Sequence, residues 1–178
     1  MPWFLDKSRR AGMSMREALE MRGQLTLQRR NAARALVETR TIPNNIVLSG
    51  RDLVANMFIG TEGVQPISHV AVGTGASEEN PLQRVALERQ VFHKPIEPID
   101  PSSDLQDVLV NDQPRRKLTI RALLDFAEPD PAANEHQPYA LTEAGLFTAN
   151  NVMYNRVVFA PVNKTGDFQL TLIWEILF

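Results

Sequence analysis

Asp167-Phe168-Gln169-Leu170-Thr171-Leu172-Ile173-Trp174-Glu175-Ile176-Leu177-Phe178 alternates without interruption. Phe168, Leu170, Leu172, Trp174, Ile176 and Phe178 fall on one face, and Gln169, Thr171, Ile173, Glu175 and Leu177 on the other. Six apolar side chains at period two make the core face of a β-strand. A helix would scatter them around its axis. The rest of the chain is therefore read as what this strand packs with.

Three upstream stretches share its texture. Lys117 to Phe126 places Leu118, Ile120, Ala122, Leu124 and Phe126 on one face, with Leu123 the exception on the other. Leu141-Thr142-Glu143-Ala144-Gly145-Leu146-Phe147 and Val152-Met153-Tyr154-Asn155-Arg156-Val157-Val158-Phe159 read as two strands across a turn. Ile67-Ser68-His69-Val70-Ala71-Val72 is a short apolar strand that stops at Gly73-Thr74-Gly75, a tight turn expected to need positive φ. Val85 to Ile96 reads as a helical start that becomes a strand. Pro95, Pro98 and Pro101 then exclude regular structure or confine it to an edge. Glu128 to Pro138 is a polar, proline-containing loop. Pro43-Asn44-Asn45 marks a turn. Ser49 is placed to cap a short helix through Phe58, with Leu53, Val54, Met57 and Phe58 turned inward and Gly60 ending it.

The N-terminal segment differs. Residues 1–40 hold nine Lys/Arg against four acids, a net of +5, so the remainder carries −7. Ser14 with Glu17 has capping-box spacing, and Met15, Ala18, Leu19, Met21, Leu25, Ala32, Leu36 and Val37 recur at near-helical intervals, which predicts a helix over 14–39. Gly23 and the polar run from Gln28 to Asn31 interrupt the stripe. Such a helix is marginal alone; it either folds back on its own domain or packs on other subunits. The chain thus divides into a basic helical arm, 1–42, and a β-rich body, 43–178, with the body expected to fold without the arm. Trp3, Phe4, Arg29, Arg30 and Arg34 are the candidate interface residues of the arm. Its charge suits an acidic protein neighbour better than nucleic acid, because only Trp3 and Phe4 supply aromatics.

Composition narrows the class. A chain of 178 residues with 43% hydrophobic and 22% charged residues can bury one real core. It has no cysteine, which excludes disulfides, thiolate metal sites and cysteine nucleophiles. No apolar run approaches the roughly 20 residues of a membrane span. The opening Met1-Pro2-Trp3-Phe4-Leu5-Asp6-Lys7 does not read as a signal peptide, so synthesis in a cytoplasm is expected. His69, His93 and His136 lack metal-ligand spacing, and a packed core histidine is the reading for His69. Gly73-Thr74-Gly75 has Glu78 where a dinucleotide fingerprint needs glycine, and no P-loop ending exists. Glu143 and Glu175 could be imagined as an acid/base pair; the simpler reading is that each faces outward or caps backbone groups, Glu143 near the expected turn or bulge at Gly145. No cofactor, metal or catalytic residue is assigned, and the chain reads as a binding protein rather than an enzyme.

Four segments in order carry a resemblance. Ile67 to Gly75, Ala86-Leu87-Glu88-Arg89-Gln90-Val91-Phe92, Leu141 to Phe147, and the closing Arg156 to Thr165 with Leu170 to Ile176 resemble bacteriophage tail-fibre and tail-collar proteins over about residues 45–178. Gln90 stands where that group usually has an acid, and the stretch from Ile96 to Arg115 is a long insertion. The resemblance implies an antiparallel β-sandwich-like body in the tail, baseplate or neck of a virion. Its partners would be other phage structural proteins and copies of itself, with no membrane. The alternative is a carbohydrate-binding β-sandwich that recognises host surface glycan, which would need exposed aromatics on a binding face.

Overall fold

A computed structural model describes residues 21–178 of the protein. Trp3 and Phe4 lie outside the described residues, as does the part of the expected arm before Met21. The molecule is mainly β. Nine strands form one antiparallel sheet: β1 (Arg22–Asn31), β2 (Leu36–Ile46), β3 (Ile67–Gly73), β4 (Gln90–Pro95), β5 (Leu105–Val110), β6 (Gln113–Leu124), β7 (Tyr139–Thr148), β8 (Met153–Lys164) and β9 (Phe168–Leu177), in the spatial order β4-β3-β7-β8-β2-β1-β9-β6-β5. Among the described residues there are also two short helices, α1 (Leu48–Phe58) and α2 (Pro101–Asp104), and 3-10 turns at Pro81–Gln83 and Pro131–Asn134.

β9 behaves as its alternation requires. Phe168, Leu170, Leu172, Trp174 and Ile176 are buried; Phe178, beyond the strand, is half-exposed. β9 lies between β1 and β6, so Trp174 is opposite Leu25 on one side and Ile120 on the other. Ile42 of β2 extends that row. Side chains from β1, β9 and β6 form one core cluster with Val70, Val72, Ala144, Leu146, Val157 and Phe159 of β3, β7 and β8. Among the described residues, strand pairing between the two groups occurs only where Asn45 and Ile46 of β2 meet Arg156 and Asn155 of β8.

The helix expected over 14–39 is overturned from residue 22 onward. These residues form the β1–β2 hairpin, whose first strand pairs with β9 along its whole length. Leu25 and Leu27 are buried at period two, with Thr26 between them and Gln24 and Gln28 on either side. Helix-forming alanine, leucine and arginine lost to the ten-residue strand β9, whose apolar core face needed a neighbour, the tertiary override of propensity. The division at 42/43 falls inside β2, and a body that began at residue 43 would lack the strand beside β9.

Smaller corrections follow the same logic. α1 spans the expected residues, but Ser49 does not cap it: its Oγ donates to the Met153 carbonyl at 2.7 Å, and Val47 stands at the N-cap. Met57 and Phe58 point outward, Phe58 being 87% exposed, because α1 packs on β8 by its Gly50–Leu53 side. A Cβ at Gly50 would strike the Tyr154 backbone, so the close approach needs glycine. Residues 84–89 are not helical, and the proline-rich insertion carries α2 and the edge strand β5. Asp100 caps α2 through the Ser102 amide at 2.9 Å.

Candidate functional site

The four segments of the resemblance meet at one buried carboxylate. Glu143 is fully buried in β7, and both its oxygens are occupied. Oε1 accepts from the amides of Gly75 (3.1 Å) and Arg89 (2.8 Å); Oε2 accepts from the Glu88 amide (3.0 Å) and from Arg156 Nε (2.8 Å). Arg156 projects from β8, two residues from the one paired with Glu143, with its side chain 2% exposed. Its Nη1 donates to the Ser77 carbonyl at 2.7 Å, and its Nη2 lies 3.8 Å from Glu88. Thr142 Oγ1 donates to the Gly75 carbonyl at 2.8 Å. The 74–89 loop is thereby latched onto the face of β7 and β8, over a small apolar cluster of Val47, Ala71, Leu87, Phe147 and Met153.

The glycines of the Gly73-Thr74-Gly75 turn are explained by this latch and not by backbone sign. Among the described glycines only Gly60 and Gly63 have positive φ, so the expected left-handed turn is corrected. A Cβ on either Gly73 or Gly75 would come within 2.6 Å of Glu143 Oε1. They are glycines because the carboxylate sits against the backbone.

A carboxylate offers about four acceptor positions, and all four of Glu143's are filled by fixed donors. Its chemistry is to hold a loop. The Ser77 amide holds the exposed Glu88 carboxyl below the usual carboxylate range, aided by Arg84 and Arg156 and opposed by desolvation. Sequence reasoning reached Glu143 as a backbone cap but missed Arg156, Glu88 and the loop amides. The available signal was an acid and a base each embedded in an apolar strand. Glu175, the other carboxylate considered, is partly exposed and takes Lys117 Nζ at 2.8 Å and Gln24 at 2.5 Å. His69 is half-buried, 2.9 Å from Ser68 Oγ, its ring 6.3 Å from that of His93. Among the described residues no three metal-ligating side chains gather.

Arg29, Arg30 and Arg34 are brought together, at the far end of the β1–β2 hairpin rather than along a helix. The Arg29 guanidinium lies 4.6 Å over the Phe168 ring and 3.9 Å from Glu38. Arg30 reaches the Arg34 carbonyl at 3.2 Å and Gln28 at 3.3 Å. Arg34 sits in the turn at φ 61°. Residues 31–37 are exposed throughout, including Leu36 and Val37 at 50% and 53%. The hairpin end is a basic surface with two apolar side chains at its centre.

No family model matches the chain, and neither the curated proteins nor the solved structures contain a match to it. Among the described residues no helix is long and apolar enough to cross a membrane.

Proposed function

We propose that the protein is a structural component of a tailed-phage virion or a related contractile injection system, acting by protein–protein assembly in the tail, baseplate or neck. On this reading the sheet is a β-sandwich-like body and the chain works as a homo-oligomer among other virion proteins. The observation that carries the proposal is the convergence of the four resembling segments on Glu143. Their polar residues bond one another and hold a loop, as a rigid assembly module requires. The exposed hairpin end supplies a surface for the partner: arginines for steering and Leu36 and Val37 for burial.

The test is incorporation. Particles made from a genome lacking this gene are complemented with the triple variant Arg29→Glu/Arg30→Glu/Arg34→Glu. A folded variant that enters particles poorly, and worse at higher salt, supports the reading. Normal incorporation of the triple variant sinks the hairpin end as the contact. Wild-type protein that is absent from purified particles sinks the virion reading altogether.

A further inference from the structure

Among the described residues, large exposed apolar side chains adjoin in sequence at two places, Leu36-Val37 and Met57-Phe58-Ile59. The first is the hairpin end. Arg30 lies opposite Leu36 in register and Arg34 stands two residues before it, and neither guanidinium meets a carboxylate among the described residues. The second leaves the end of α1. There the Thr61 amide donates to the Asn56 carbonyl at 3.0 Å and Gly60 takes φ 67°, a left-handed cap that ends the helix in a fixed turn. Because α1 packs by its Gly50–Leu53 side, that turn carries Phe58 and Ile59 into solvent, Ile59 being 78% exposed.

Asn56 and Thr61, on either side of Ile59, line a hollow of about 300 Å³ together with Asn150 of the β7–β8 turn. Asp52 and Glu62 are its only ionisable lining residues; both are exposed, and neither carboxylate meets a cation among the described residues. Arg51, next to Asp52, lines a separate hollow at the start of β1. The two apolar runs therefore carry opposite charge. The other strongly exposed apolar residues, Leu109 and Val85, stand singly, and Asp107 near Leu109 is already paired with Arg116. The two patches do not meet within one copy. The hairpin end lies past the Leu36 end of β2, whereas the β7–β8 turn and the hollow lie past the Ile46 end, where β2 pairs with β8. Roughly 30 Å of strand separates them.

We infer that the hairpin end of one copy docks head to tail on the end of α1 of a second copy. Arg34 enters the hollow between Asp52 and Glu62, Arg30 adds to the attraction, and Leu36 and Val37 cover Phe58 and Ile59. Both surfaces are set before they meet. The Arg34 amide donates to the Asn31 carbonyl at 2.8 Å and the Ala35 amide to Asn31 Oδ1 at 3.0 Å, so the hairpin turn is as fixed as the cap at Gly60. A contact between opposite ends of the same chain leaves one hairpin and one hollow free at each end of any open chain of copies. It therefore continues past two copies, into a ring where the rotation closes and a filament where it does not. That the hairpin end is a contact surface rests on the assembly reading above.

The experiment follows the mass of the purified full chain by analytical ultracentrifugation over a concentration series, at low and high salt. Wild-type protein should form species larger than a dimer, less so at high salt. Arg34→Glu alone and Asp52→Lys/Glu62→Lys alone should each weaken self-association about tenfold or more, as expected for turning a charge pair into a repulsion. Neither should lower the thermal midpoint, since these side chains are exposed and pair with no opposite charge in their own chain. Phe58→Ser/Ile59→Ser should weaken assembly in the same way. Mixing the Arg34→Glu protein with the Asp52→Lys/Glu62→Lys protein should restore assembly, because each hairpin then finds an opposite charge on the other chain; a merely structural defect would not be repaired by mixing. Wild-type protein that stays monomeric throughout, charge variants that assemble like the parent, a mixture that stays monomeric, or growth that stops at two copies overturns the inference. If wild-type protein is monomeric while the hairpin triple variant still loses incorporation, this inference falls and the assembly reading stands. If copies join as described but wild-type protein is absent from particles, the virion reading falls instead.

Discussion

Glu143→Gln tests the latch directly. Four donors converge on the carboxylate, three from backbone and one from Arg156. Glutamine keeps one acceptor oxygen and turns an NH2 group toward the remaining donors, so about half of the bonds are lost. Arg156 is then left buried, its nearest remaining carboxylate being Glu88 at 3.8 Å. Removing one partner of a buried ion pair costs about 3–5 kcal/mol, against a total of roughly 5–15 kcal/mol for a typical domain. With a urea slope of about 2 kcal/mol per M, the unfolding midpoint should drop by roughly 1.5–2.5 M. Hydrogen exchange should show the amides of Gly75, Glu88 and Arg89 losing protection first, because those are the bonds the carboxylate makes. Adding Arg156→Gln should recover part of the loss, since the second substitution removes the stranded charge. A single variant within about 1 kcal/mol of the parent, with those three amides still protected, would refute the latch.

Trp174→Ala should cost about 3–5 kcal/mol in urea unfolding, because the ring is fully buried between Leu25 and Ile120; a cost under 1 kcal/mol would mean that β9 is not the centre of the core. Burial lowers the Lys164 ammonium from 10.5 to about 8. The unfolded chain therefore binds the extra proton between those values, and stability should rise with pH from about 8 to 10.5, on the order of 1–3 kcal/mol, a rise that Lys164→Met removes. Burial pushes Tyr154 the other way in consequence, up to about 12. Above pH 10 the folded state keeps a phenolic proton that the unfolded chain gives up, so stability should fall again, and Tyr154→Phe should flatten that fall in a pH series of denaturation midpoints. Gly50→Ala should destabilise by about 1–3 kcal/mol, since its methyl meets the Tyr154 backbone, and circular dichroism melting would read it.

How legible each part was in the sequence depended on whether the deciding partner was local. The stretch from Phe168 to Phe178 carries six apolar positions at period two, five of them inside β9, and needed nothing else to be recognised. β3, β7 and β8 were found within a few residues of their ends, and α1 to its last residue, but its outward face was misassigned. Period alone does not say which side of a helix of about three turns meets the sheet; Gly50 against Tyr154 does. Residues 22–39 of β1 and β2 were read as helix, and Pro43-Asn44-Asn45 of β2 as a turn, because over 22–39 only Leu25 and Leu27 are buried, among residues that favour helices. What makes β1 a strand is β9, 137 to 155 residues away along the chain, and β2 follows as the other arm of its hairpin.

The candidate site shows the same dependence in a sharper form. Gly73-Thr74-Gly75, Leu87-Glu88-Arg89 and Thr142-Glu143 each look like ordinary turn or strand punctuation when taken alone. Joined, they explain one another. The glycines are small because a carboxylate lies against them, and the carboxylate tolerates burial because loop amides and a guanidinium fill its lone pairs. Arg156 in turn holds the Ser77 carbonyl, which fixes the loop's far side. The Glu143 carboxylate has no acceptor position left over, and of the Arg156 guanidinium only the buried Nη2 lacks a hydrogen bond. The exposed hairpin end lies apart from this set, and there a partner would gain by covering Leu36 and Val37.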